Sequence, residues 1–194
     1  MKSRIAFDLD GVLIDMASVV KKLIMEIHGI EMKKFPKEQD QFDWGPATGL
    51  PSKELWRIYR LAYKEIKSTP IYPGSTELLA KLYEATGEPS FILTARPFDA
   101  ANETYEIVKR MTKKTPFNLV LKHPRASKAS YLHGYNFFVE DRRKTALELS
   151  AAGICVLLIE RNYNYIKNVP DNIIYIKGIE QLIHHVDRFI NNYK

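Results

Sequence analysis

The chain has 194 residues, of which 45% are hydrophobic and 27% charged, with 11 Tyr, 9 Phe and 2 Trp. That apolar content is enough to offset chain entropy and excludes a disordered or low-complexity protein, while the length suits one core with room for an inserted lobe. The formal net charge of +6 and pI near 9.2 favour anionic partners, and a single cysteine, Cys155, excludes a disulfide scaffold or thiolate zinc cluster and points to a reducing, cytoplasmic compartment.

Met1-Lys2-Ser3-Arg4 leads straight into an apolar run over 4–9 that ends in aspartates, so a strand is expected there and no cleaved secretory signal. The interval 15–72 contains no strand-like run. It reads as a helix over 16–28, an irregular loop holding Phe35-Pro36, Phe42-Asp43-Trp44-Gly45-Pro46 and Gly49-Leu50-Pro51, and a helix over 52–67. Pro70, Pro73 and Gly74 mark a return, and Ser75-Thr76-Glu77 begins another helix. From there strands at 89–94, 117–121, 136–140, 155–159 and 173–176 are interleaved with helical patterns at 98–112, 127–132, 142–152 and 179–193. The strands are continuously apolar rather than alternating, which predicts a parallel sheet covered on both faces: an open, doubly wound α/β fold. The expected organisation is a core of 1–15 and 70–194 with a small helical cap, 16–69, inserted after the first strand. Apolar runs such as 154–159 are far shorter than the roughly 20 residues of a membrane span, so no membrane association is expected.

The chemistry gathers at strand ends, where ligands bind in such sheets. In Phe7-Asp8-Leu9-Asp10-Gly11-Val12, two carboxylates with a spacing of two project to the same side of an extended chain. Their mutual repulsion asks for a cation between them or a shared proton; the alternative is a polar strand end with two solvated aspartates. Two further strands stop abruptly in polar residues, Thr94-Ala95-Arg96-Pro97 and Glu140-Asp141-Arg142, and would share the same edge.

With these motifs on one edge, the sequence resembles the haloacid dehalogenase-like phosphohydrolases over nearly its whole length. Asp8-Leu9-Asp10-Gly11-Val12 matches their first motif, Thr94 the second, Lys128 the third and Glu140-Asp141 the fourth. The stretches around Thr94 and Glu140, with Ala146-Leu147-Glu148-Leu149, Gly153-Ile154 and Asn162-Tyr163-Asn164, are most similar to the 5'(3')-deoxyribonucleotidase-like group. The resemblance implies a three-layer, Rossmann-like core and Mg²⁺-dependent hydrolysis of phosphomonoesters. Asp8 would be the nucleophile, forming an aspartyl-phosphate, and Asp10 the general acid and base. Thr94 and the Ala95 amide would hold the phosphoryl group, with Arg96 also placed at the substrate, and Lys128 would neutralise charge. The metal would be held by Asp8, the Asp10 main-chain carbonyl and the Glu140-Asp141 pair, where the family often has Asp-Asp.

Lys122, at the end of the strand over 117–121, competes with Lys128 for the third motif. In the cap, Phe42 and Trp44 offer loop aromatics to a nucleotide base, while Trp56, on a helix, is expected to pack the cap's own core. The implied partner is a small phosphomonoester, a nucleoside monophosphate. The alternatives are a sugar phosphate, a polynucleotide end, which the lack of a basic groove motif disfavours, or a binding or scaffold domain that has lost turnover. The basic cluster Lys109, Arg110, Lys113 and Lys114 reads as a solvated helix end, and Cys155 as packing.

Overall fold

The computed structural model describes residues 4–31, 44–123 and 125–183. Phe42, Phe35-Pro36 and the end of the helix expected over 179–193 lie outside them. All six expected strands form: β1 (Ile5–Phe7), β2 (Ser90–Thr94), β3 (Phe117–Leu121), β4 (Phe137–Glu140), β5 (Cys155–Ile159) and β6 (Ile173–Ile176). Every pairing is parallel, in the order β3-β2-β1-β4-β5-β6. The order reverses between β1 and β4, and the crevice beyond their C-terminal ends is the ligand position of a doubly wound sheet.

Continuous hydrophobicity along the strands follows from burial on both faces. Phe7, Ile92, Phe137, Val139, Leu157 and Ile159 pack into one cluster with α4 (Ser75–Thr86), α5 (Ala101–Thr112) and α7 (Ile179–Ile183). Their chain neighbours Ala6, Leu93, Phe138, Val156 and Leu158 face the opposite way, towards α6 (Arg143–Ala151). Neighbouring strand residues thus divide between two helical layers, as the period of two requires.

Between β1 and α4 the described residues are helices and turns: α1 (Met16–His28), α2 (Gly45–Thr48) and α3 (Ser52–Ala62). Asp15 caps α1 by accepting from the Ser18 amide at 3.1 Å, and Gly29 closes it in the left-handed conformation. Val19, Val20 and Ile24 of α1 pack with Leu55, Ile58 and Ala62 of α3 in a cluster continuous with the sheet's first face. The chain leaves and re-enters at one place. The Asp15 amide donates to Pro70 O at 2.9 Å, the Tyr72 amide donates to Leu13 O at 3.0 Å, and Ile14 forms an antiparallel bridge with Ile71.

Several expectations change. The helix expected over 52–67 ends at Ala62 and passes into turns held by the Lys64, Glu65 and Ile66 amides. The pattern at 127–132 is one 3₁₀ turn, Lys128–Tyr131, too short to propagate as an α-helix. Arg110 is exposed, as a solvated helix end requires, and in addition donates to Lys67 O at 2.7 Å and to Thr69 O, tying the returning segment to α5. No helix among the described residues is long and apolar enough to cross a membrane.

Candidate active site

Three strand ends meet beside the topological switch. Asp8 directly follows β1, Thr94 ends β2, and Glu140 ends β4 with Asp141 next to it. After Asp8 the chain curls in a turn where the Leu13 and Ile14 amides both donate to Leu9 O. Gly11 sits in that turn at φ +79°, and a Cβ there would lie 2.1 Å from Asp141 Oδ2. Only glycine satisfies both the left-handed backbone and so close an approach.

Lys128, 4% exposed, donates from Nζ to Asp8 Oδ2 at 2.7 Å and Glu140 Oε2 at 2.9 Å. The 3₁₀ turn aims it inward: the Ser127 hydroxyl accepts from the Ala129 amide at 3.0 Å. Lys122 faces elsewhere, donating to the carbonyls of His123 at 3.1 Å and Ala126 at 2.8 Å. Of the two lysines, Lys128 is the one in contact with Asp8.

Both oxygens of Glu140 are engaged. Its Oε1 accepts from the amides of Asp141 and Arg142, each at 3.0 Å, and its Oε2 from Lys128. Asp141 is different: Oδ2 accepts from the Tyr163 hydroxyl at 2.5 Å, whereas Oδ1 is buried with no hydrogen-bond partner. Asp8, Glu140 and Asp141 bring carboxylate oxygens within 4.8 Å of one another. Burial raises the Asp8 pKa from 3.8 to about 7, against the pull of Lys128 and with a further push from Glu140. Burial also pushes Glu140 and Asp141 upward, and the neighbouring Asp8 charge adds to the push on Asp141. Carboxylates this crowded and dry, one with an orphan oxygen, match the donor set of an oxygen-preferring divalent cation.

Asp10 joins the group differently from the simple alternation of a strand. Its carboxylate is turned to Arg96, whose Nη2 donates to Oδ1 at 2.7 Å and Nε to Oδ2 at 2.9 Å. The resemblance places Arg96 at the substrate, but two of its nitrogens are committed to Asp10. Thr94 is buried and accepts the Arg96 amide on its hydroxyl at 3.2 Å, while Ala95 is exposed at the mouth.

Two aromatic expectations are reversed. Trp44 is 8% exposed and belongs to the main apolar cluster, so it is not a free face for a base. Trp56 is 64% exposed, and a ladder of ring contacts runs from it to Tyr59 at 5.9 Å and on to Tyr63 at 6.5 Å. The Tyr63 ring lies 4.8 Å from the Arg96 guanidinium, which connects α3 to the site.

The loop after β5 supplies residues to which sequence reasoning gave no role. Besides the Tyr163 contact, Asn164 Nδ2 donates to Asp141 O at 2.8 Å and Ile159 O at 2.7 Å, and Arg161 donates to Gly11 O at 3.2 Å. Their signal is an Asn/Tyr cluster directly after a buried strand.

The comparisons with known proteins agree with this geometry. A protein of Clostridium acetobutylicum named as a nucleotidase is 35% identical over 156 residues, covering 78% of each chain. The chain belongs to the haloacid dehalogenase-like phosphohydrolases, in their nucleotidase-like group. Solved structures of that superfamily share the fold: a hydrolase of Geobacter sulfurreducens aligns at TM-score 0.62 and 15% identity, covering 97% of this chain and 96% of its own. The L-2-haloacid dehalogenase of Xanthobacter autotrophicus aligns at TM-score 0.62 and 15% identity, covering 97% of this chain and 99% of its own. No family model matches the chain.

Proposed function

We propose that the protein is a Mg²⁺-dependent phosphomonoester hydrolase that works through an aspartyl-phosphate and acts on nucleoside monophosphates. The observation that carries the chemistry is the buried Asp8–Lys128–Glu140 contact beside the unpaired Asp141 Oδ1. An Asp8 carboxylate oxygen attacks phosphorus, the bond to the leaving oxygen breaks, and Asp10 gives that oxygen a proton. Water then attacks the aspartyl-phosphate with Asp10 taking its proton, and the bond to Asp8 breaks to release phosphate. Lys128 offsets negative charge on Asp8 and the phosphoryl oxygens, and Thr94 with the Ala95 amide donates to those oxygens.

Mg²⁺ would be held by Asp8, the Asp10 main-chain carbonyl and Asp141, and when bound it supplies charge neutralisation at the phosphoryl group. Glu140, with both oxygens already accepting hydrogen bonds, acts as the support of Lys128 and of the Asp141 backbone. Because the metal-free pKa of Asp8 is about 7, proton and cation compete for it. The Mg²⁺ concentration giving half-maximal activity should therefore fall as pH rises from about 6 to 8. A half-saturating concentration that is flat over that range would remove Asp8 from the ligand set.

The segment 16–69 acts as the cap over this site, with both its ends pinned at Asp15 and Pro70. Its outward ladder from Trp56 to Tyr63 gives the leaving group an aromatic edge leading to Arg96. The net charge of +6 and the name of the Clostridium relative support a nucleotide in that place. A cytoplasmic address belongs to the same proposal, supported by the lone Cys155.

The test is a panel of nucleoside monophosphates, sugar phosphates and phosphorylated oligonucleotides, in which a nucleoside monophosphate should show the highest kcat/KM. Trp56→Ala should raise KM for it about tenfold, the worth of one base stack, and leave p-nitrophenyl phosphate hydrolysis unchanged. A sugar phosphate at the top of the panel would overturn the nucleotide assignment alone. An oligonucleotide that wins only at low salt would replace it with a polynucleotide-end substrate.

A further inference from the structure

Arg96 heads the largest fully buried side chains of the described residues. Its guanidinium is a rigid planar fork that stays charged and has no acceptor of its own, so enclosing it is costly unless its donors are used. Nη2 and Nε are used on Asp10, the latter lying 2.9 Å from Oδ2 and 3.2 Å from Oδ1. Nη1 is buried with no hydrogen-bond partner. The guanidinium carbon lies 4.8 Å from the centre of the Tyr63 ring at the end of α3, and the Arg96 amide is fastened to the Thr94 hydroxyl.

The Asp10 side chain, by contrast, is 29% exposed and stands on a turn. Left alone, such a carboxylate would sample several rotamers. A two-nitrogen fork engaging both carboxylate oxygens fixes their direction as well as their position, which a single point donor does not.

We propose that Arg96 is a positioning residue for Asp10, with the Tyr63 ring as the surface that holds the fork in place, so that the helical segment and the proton-transferring carboxylate are coupled through one side chain. This rests on the phosphatase reading, in which Asp10 exchanges a proton with the leaving group. It gives the buried arginine a task in leaving-group departure rather than in binding phosphate.

The experiment uses leaving groups of different need. kcat/KM covers the steps up to loss of the leaving group, and p-nitrophenolate departs with little help whereas a nucleoside alkoxide requires a proton. Arg96→Lys keeps the charge and removes the fork. It should lower kcat/KM about 100-fold on a nucleoside monophosphate and only about 5-fold on p-nitrophenyl phosphate. In an Asp10→Asn background the same substitution should cost less than about 3-fold on the nucleotide, because the two residues act as one unit. Tyr63→Leu should show the same substrate-dependent split at smaller size and in kcat, whereas loss of a contact to the leaving group would raise KM alone, and it carries the comparison if Arg96→Lys does not fold.

Equal losses on both substrates would mean scaffolding only. A rise in KM on both with kcat intact would mean that Arg96 binds phosphate, and a loss that persists in Asp10→Asn would mean that it acts elsewhere. Each overturns the inference while wild-type turnover keeps the phosphatase reading standing. A wild-type protein that hydrolyses neither ester overturns both.

Discussion

Replacing Asp8 with asparagine is expected to stop phosphomonoester turnover, lowering kcat by about 10⁴-fold or more, because the amide has the shape of the carboxylate but no nucleophilic oxygen. The protein should nevertheless fold, since Asp8 is a charged group in a dry place rather than part of an apolar contact. Its folded pKa of about 7 lies above the ordinary aspartate value of 3.8. A group shifted upward in this way contributes stability that is fully present below the unfolded pKa and is lost as pH rises through the folded one. The asparagine side chain does not titrate and has no such loss. In chelator, the Tm of Asp8→Asn minus that of wild type should therefore become more positive between about pH 4 and pH 7.5. Acid-quenched wild type mixed with substrate should carry a phosphoryl group on the peptide containing Asp8, and the variant should carry none. Turnover within tenfold of wild type would end the covalent mechanism.

The sheet was legible because burial on both faces writes continuous apolar runs, and all six appear within a few residues of where they form. The reactive edge was legible for a related reason: polar residues that cut off buried strands at Asp8, Thr94 and Glu140 have nowhere to go but the strand ends. The insertion was harder. Helix α3 carries two adjacent stripes with the same spacing, Leu55, Ile58 and Ala62 beside Trp56, Tyr59 and Tyr63, and periodicity alone does not say which one turns inward. The aliphatic stripe packs on α1, so Trp56 faces out and the loop residue Trp44 fills the core instead. The pairing of Arg96 with Asp10 joins positions 86 apart in sequence and leaves no local trace in either segment. The same holds for Tyr163 on Asp141, 22 residues away.

Lys122 and Lys128 show how far a short distance in sequence can separate two roles. Lys128→Met should reduce kcat/KM by about 10³-fold, whereas Lys122→Met should cost less than about tenfold. The difference follows from where each ammonium ends. Lys128 touches Asp8 and Glu140, where charge shifts during phosphoryl transfer, while Lys122 holds two main-chain carbonyls of its own loop. Removing Lys128 also leaves two buried carboxylates without their counter-ion, a change of about 3–5 kcal/mol for a broken buried pair. Asp8 and Glu140, already pushed upward by burial, would then bind protons more strongly, so the variant's thermal stability in chelator should fall more at pH 8 than at pH 5.5. If Lys122→Met proved the more damaging to kcat/KM, the phosphoryl-facing cation would have to be reassigned, and the Asp8–Lys128 contact would become a purely structural ion pair.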